Sequence, residues 1–212
     1  MITGNTASGT FYVFNKKEQS TPIVFIHGVG LTYEIWQPQL NFFKSYSNLS
    51  YDILGHGKSS LKKQNINFDD FSNQLIELID EIKIDKIHLV GFSIGSLIAR
   101  NFATKYNDRL QSLILLGSIY NRSEQQQKIV NERFNQAKKE LKLSSQALKR
   151  WFTDKYLKNN PDTYKKISSI LSANNMTNFL KVYELFVRHK NDEDFEKIYC
   201  KTLVMTGEND IG

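Results

Sequence analysis

The residues best suited to chemistry in this sequence are Gly91-Phe92-Ser93-Ile94-Gly95, which follow the apolar run Ile87-His88-Leu89-Val90 and precede a helical pattern. A bare G-x-S-x-G string arises by chance in many proteins. Its weight here comes from the strand before it and the helix after it. In that setting the serine occupies a sharp strand-to-helix turn that holds its hydroxyl out at the sheet edge, ready to attack a carbonyl carbon. The glycines on either side relieve the crowding of such a backbone. The bland alternative is an ordinary turn with a helix-capping serine. Three further segments favour the chemical reading. His27-Gly28-Val29-Gly30 directly follows an apolar run, and glycines there let backbone N–H groups face a developing oxyanion. The segment YDILGHGKS, residues 51–59, reads as a tight glycine-rich turn braced by Asp52 and Ser59. The segment KTLVMTGEND, residues 201–210, sets the carboxylate of Asp210 just beyond a strand.

These residues need a scaffold, and the first two-thirds of the chain supplies a regular one. Short apolar runs at 23–26, 49–54, 87–90, 113–116 and 203–205 are each stopped by glycine. Such runs fit parallel strands covered on both faces. Residues 10–14 add an expected antiparallel edge strand. Between the runs, Phe71, Leu75, Leu78, Ile79 and Ile82 recur at helical spacing. Gly95, Ala99 and Ala103 fall every fourth residue, so the helix after Ser93 can lie close against a sheet. Strands alternating with helices predict an α/β fold with right-handed crossovers. From 119 to about 196 the rhythm changes to polar, helix-forming sequence, with helices expected near 124–141, 145–158, 162–173 and 177–188. The expected organisation is a core over 1–118, an inserted helical cap over 119–196, and the core resumed over 197–212.

Composition narrows the function classes. Of 212 residues, 40% are hydrophobic and 24% charged, which fits a globule and excludes a wholly disordered chain. No apolar run reaches the roughly 18–20 residues that span a bilayer, and the N-terminus has no signal-peptide pattern. The single cysteine, Cys200, cannot form an internal disulfide. A soluble, cytoplasmic protein without membrane association is the expectation. The net charge of +6 raises the question of nucleic acid. The basic residues are nevertheless dispersed among acids and amides, and the densest stretch, from Lys138 to Arg150, is broken by Leu141, Leu143, Ala147 and Leu148. It reads as a solvated helix face, so no nucleic-acid partner is expected. One cysteine and four scattered histidines make no zinc pattern, there is no P-loop, and Gly28-Val29-Gly30 lacks the third glycine of a dinucleotide fingerprint. Neither metal nor cofactor is expected.

Taken in order, HGVG, YDILGHGKSS, GFSIGS and KTLVMTGEND make the chain resemble the α/β-hydrolase superfamily, in particular its capped serine esterase and lactonase-like branch. The resemblance covers nearly the whole chain. It implies a mostly parallel sheet flanked by helices with an inserted helical cap. It also implies Ser93 as nucleophile, Asp210 as the triad acid, and the backbone N–H groups of Val29 and Ile94 as the oxyanion hole. Ser96 departs slightly from the pattern, standing where a second glycine is usual. Trp36 and Trp151 are expected at the substrate pocket, with core packing the competing reading for Trp36 and plain helix packing the competing reading for Trp151.

A larger departure concerns the base. In this family the order is serine, acid, histidine, whereas His27, His56, His88 and His189 all precede Asp210. The expectation is a C-terminally truncated hydrolase that lacks its last strand, last helix and catalytic histidine, roughly 45–55 residues. The implied activity is cleavage of a small-molecule carboxylic ester or lactone through an acyl-enzyme, with little turnover by residues 1–212 alone. The alternatives are C–C bond hydrolysis or cofactor-free peroxidation on the same triad, or non-catalytic binding of a small molecule. Oligomeric state is not readable.

Overall fold

The computed structural model describes residues 1–18, 20–140, 146–190 and 195–210. Leu141, Leu143 and Ser145, which enter the helix expectations above, lie outside the described residues. Seven strands form one sheet: β1 (Ile2–Asn5), β2 (Phe11–Asn15), β3 (Ile23–Ile26), β4 (Asn48–Tyr51), β5 (Ile87–Phe92), β6 (Leu110–Leu116) and β7 (Lys201–Met205). Their order across the sheet is β1-β2-β4-β3-β5-β6-β7. The β1–β2 and β2–β4 pairs are antiparallel, and the remaining pairs are parallel. The antiparallel edge expected at 10–14 is present, and β1 adds a strand that sequence reading missed.

Alternation along each strand sends side chains into two layers. Val24, Ile26, Leu89, Leu113 and Leu115 enter the larger core, and Phe25 and Val90 point to the other face. The larger core is covered by α2 (Phe68–Glu81) and α3 (Ile94–Lys105), whose Phe71, Leu75, Leu78 and Ile79 and Ile98, Phe102 and Ala103 are fully buried. Asn67 and Asp70 begin α2 with a reciprocal capping box, each side chain accepting from the other's backbone N–H. On the opposite face a one-turn 3-10 helix (Tyr33–Trp36) and α1 (Gln37–Phe42) bring Trp36 and Leu40 against Phe25.

Among the described residues five α-helices and a one-turn 3-10 helix (Phe195–Lys197) lie between β6 and β7: α4 (Glu124–Glu140), α5 (Gln146–Trp151), α6 (Asp154–Asn159), α7 (Pro161–Ser172) and α8 (Met176–Val187). The helix expected over 145–158 is therefore two. Thr153 takes an extended backbone and its hydroxyl accepts the Tyr156 N–H, which ends one helix and caps the next. Among the described residues β7 is the outermost strand beside β6, with Leu203 53% and Val204 65% exposed.

Candidate active site

The turn between β5 and α3 is where the backbone departs most from ordinary geometry. Ser93 has φ 56° and ψ −120°, one of two non-glycine residues with positive φ among the described residues. Such a conformation costs on the order of 1–3 kcal/mol and persists only where its surroundings impose it. They do. A Cβ on Gly91 would collide with the Gly95 carbonyl, and one on Gly95 would lie 2.5 Å from the Ile26 carbonyl oxygen. The helix therefore packs directly on β3 and β5. Ser93 N–H donates to the Leu116 carbonyl (3.0 Å) and Ser96 N–H to the Ser93 carbonyl (2.9 Å). The Ser96 hydroxyl donates to that same carbonyl at 2.5 Å, so the residue that departs from the glycine pattern ties the turn instead of loosening it. Among the described residues the Ser93 hydroxyl has no hydrogen-bond partner.

The loop after β3 lies beside this turn. Gly28 and Val29 line the same cavity as Ser93. Among the described residues, neither Val29 nor Ile94 donates its backbone N–H to a partner, so both amides are available to an oxyanion. The neighbouring Gly30 N–H is occupied, donating to His56 Nε2 at 2.8 Å, and the Gly30 carbonyl accepts from the Asn174 amide at 2.8 Å. Below it, His27 Nε2 accepts the Ile53 N–H (3.1 Å) and its Nδ1 donates to the Gly28 carbonyl (2.8 Å). Both imidazoles are buried, which lowers the pKa of His27 to about 4. Burial and the nearby His27 lower that of His56 to about 3. Each is therefore neutral near pH 7 and serves as a brace. Asp52 completes the layer by accepting the Tyr33 and Lys58 N–H groups, and the Ser59 hydroxyl accepts the Phe11 N–H. Burial raises the Asp52 pKa, which those amides offset in part. The segment 51–59 is thus the tight hydrogen-bonded turn expected from its residues.

The carboxylate of Asp210 arrives on the loop after β7. Its N–H donates to the Gly207 carbonyl (3.0 Å), and the carboxylate accepts the Thr206 hydroxyl (3.2 Å) beside Gly117 at the end of β6. Ser93 and Asp210 line one cavity of about 680 Å³. Its helical wall includes Arg133, Arg150, Trp151 and Tyr183. Trp151 lines this cavity. Trp36 is not among the cavity-lining residues: it is 4% exposed, with its ring tilted against that of Phe25 at a centroid distance of 5.0 Å. A large flat ring beside a sheet gains more from burial against Phe25, Leu40 and Val90 than from lining a polar mouth.

The four histidines lie elsewhere. His27 and His56 brace the loop, and the ring of His88 in β5 bonds the Ser112 hydroxyl at 2.7 Å. His189 packs edge-on against Phe68 and lines a separate groove with Arg122 and Lys190. None of them lines the Ser93 cavity. Among the described residues there is also no group of three His, Cys, Asp or Glu side chains suited to a metal, and no helix is long and apolar enough to cross a membrane.

Residues 21–210 match the family model described as alpha/beta hydrolase fold. The chain belongs to the α/β-hydrolase fold family. Within that family it is 28% identical over 204 residues to an (E)-2-((N-methylformamido)methylene)succinate hydrolase of Acinetobacter baylyi, covering 95% of this chain and 76% of that protein. It is 23% identical over 189 residues to the 3-oxoadipate enol-lactonase 2 of the same organism, covering 89% of this chain and 71% of the relative. Among solved α/β structures, the enol-lactonase from Burkholderia xenovorans superposes with a TM-score of 0.85 at 20% identity, covering 98% of this chain and 81% of the other.

Proposed function

We propose that this α/β-hydrolase is a serine hydrolase that cleaves a carboxylic ester or lactone of a small molecule through an acyl-enzyme on Ser93. The observation that carries this reading is the imposed positive-φ turn at Ser93, on a cavity shared with Asp210. The Ser93 oxygen attacks the substrate carbonyl, its proton passes to a base, and the tetrahedral oxyanion accepts the Val29 and Ile94 N–H groups. Collapse expels the alcohol oxygen, which takes up a proton; in a lactone it stays tethered to the acyl chain. Water then attacks the acyl-enzyme and frees Ser93. Asp210 serves as the acid that orients a histidine base. Helices α4 to α8 act as a cap whose side chains select the substrate. The names of the relatives, two lactonases and a hydrolase, support bond hydrolysis as the reaction type. We read the protein as cytoplasmic, with a small-molecule substrate, no nucleic-acid partner and no membrane partner.

Turnover of p-nitrophenyl acetate by the whole protein, compared with its Ser93→Ala variant, tests this reading. The variant is expected to lose about 10³-fold or more in kcat. An unchanged rate refutes it. A second reading, a binding protein that uses the same cavity without chemistry, makes no demand on the Ser93 hydroxyl. Ligand binding with no Ser93-dependent turnover by the whole protein selects that reading.

A further inference from the structure

We propose that Asn174, at the turn between α7 and α8, is a positioning residue for the oxyanion hole, acting on the Val29 N–H through two intervening peptide groups. The claim deepens the proposed hydrolysis and rests on it for the oxyanion that this N–H meets. The relay itself stands on hydrogen bonds that the free protein already makes.

Residues Gly28 to Leu31 form a β-turn, closed by the Leu31 N–H donating to the Gly28 carbonyl at 3.2 Å. The φ of 76° at Gly30, the third residue, is that of a type II turn. From the core side, His27 Nδ1 donates to the Gly28 carbonyl (2.8 Å), and the Gly30 N–H donates to His56 Nε2 (2.8 Å). From the cap side, the Gly30 carbonyl accepts from Asn174 Nδ2 at 2.8 Å. The Leu31 side chain follows the same direction and is buried among Ile167, Ile170 and Leu171 of α7. The turn is thus clamped between core and cap.

Asn174 lies just past the end of α7, and the same Nδ2 also reaches the Ile170 carbonyl (3.0 Å) and the Leu171 carbonyl (3.2 Å). Three carbonyl oxygens around one atom identify it as the amide nitrogen. Capping the orphan carbonyls of α7 needs only the last two bonds. The shortest of the three instead crosses to Gly30, 144 positions earlier in the sequence. From there a line of bonds runs to the oxyanion. The Gly30 carbonyl shares a peptide group with the Leu31 N–H, which donates to the Gly28 carbonyl. The Gly28 carbonyl in turn shares a peptide group with the Val29 N–H. Both peptides are trans, so each N–H points opposite to its carbonyl. With the Gly28 oxygen held inside the turn, the Val29 N–H is directed out of it. A donor on a peptide oxygen also polarises the N–H of that peptide, so successive bonds strengthen one another. Asn174 thereby orients and polarises the Val29 amide without touching the substrate. A cap residue takes part in stabilising the oxyanion, beyond the part the cap plays in selecting the substrate.

Amide shifts in proton–nitrogen correlation NMR spectra of the whole protein read the relay without requiring turnover. Asn174→Leu removes the donor and keeps most of the side-chain volume, and Asn174→Ala removes both. In each variant the Leu31 and Val29 amide protons are expected to move upfield. Lys166→Met removes a cap-to-loop bond outside the relay, from Lys166 Nζ to the Glu34 carbonyl (2.9 Å), and is expected to leave both shifts in place. With p-nitrophenyl acetate the Asn174 variants are expected to lose about threefold to tenfold in kcat with KM unchanged, the signature of a hydrogen bond felt in the transition state. Circular dichroism establishes that each variant is folded. Unmoved Val29 and Leu31 amides in the folded Asn174 variants, equal shifts in Lys166→Met, or a raised KM with kcat intact overturns the proposal. A failure of the hydrolase reading shows instead in an unaltered protein whose rate does not depend on Ser93, so the two failures are told apart.

Discussion

The two buried histidines beneath the oxyanion loop make the fold sensitive to mild acid. In the native state His27 and His56 hold their pKa values down at about 4 and about 3, against an ordinary 6.5, because burial disfavours the imidazolium. In the unfolded chain both titrate near 6.5. As pH falls through that value the unfolded state takes up protons that the native state refuses, so stability is present above about 6.5 and is lost progressively below it. Between about pH 7 and about pH 5.5 each histidine accounts for on the order of 1 kcal/mol, or about 2 kcal/mol together, from the linkage relation. The depressed pKa of His88 acts in the same direction, and the raised pKa of Asp52 acts against it. Such a loss is a large share of the roughly 5–15 kcal/mol that holds a domain folded. Urea unfolding followed by fluorescence at the two pH values measures it directly. An unfolding free energy that stays constant or rises on acidification refutes the reasoning. In the native state the site itself is spared over this range, because His56 keeps the lone pair that accepts the Gly30 N–H until the pH nears about 3.

Further outcomes follow from single contacts. Gly95→Ala puts a methyl group 2.5 Å from the Ile26 carbonyl oxygen and 2.7 Å from that of His27, so α3 must move; a loss of about 1–3 kcal/mol in chemical unfolding and reduced Ser93 reactivity are expected. Arg100 is 2% exposed, donates to the Ile119 carbonyl and lies over the Phe195 ring at 4.8 Å; Arg100→Met leaves that carbonyl without the guanidinium and is expected to cost about 1–3 kcal/mol in the same assay.

The elbow was legible because its evidence is local. Two glycines that admit no Cβ flank Ser93, and a largely apolar run, Ile87-His88-Leu89-Val90, precedes it. The strands at 23–26, 87–90 and 113–116 were readable for the same reason, as continuous apolar runs that only burial on both faces explains. Strand β1 was not legible: ITGN has no alternation and stays largely exposed, and it is extended because its backbone pairs with β2. The break at Thr153 hides in a sequence of good helix formers, where capping competes with continuation. Trp36 illustrates a further limit, since its position after the glycine loop leaves the side of the sheet undecided until α1 packs. The helical wall needed three dimensions too: Arg133 and Arg150 sit 17 residues apart in sequence and share a cavity only because α4 and α5 line the same wall. The bracing role of His56 was equally hidden, because nothing in the sequence says that its acceptor nitrogen meets Gly30.

The central claim is that Ser93 is the reactive nucleophile of this cavity. Peptide-resolved mass spectrometry after treatment of the whole protein with a neutral fluorophosphonate tests it most directly. The account predicts one adduct on the peptide that contains Ser93, absent from the Ser93→Ala variant. An adduct that persists in that variant, or one that maps to another serine, contradicts it.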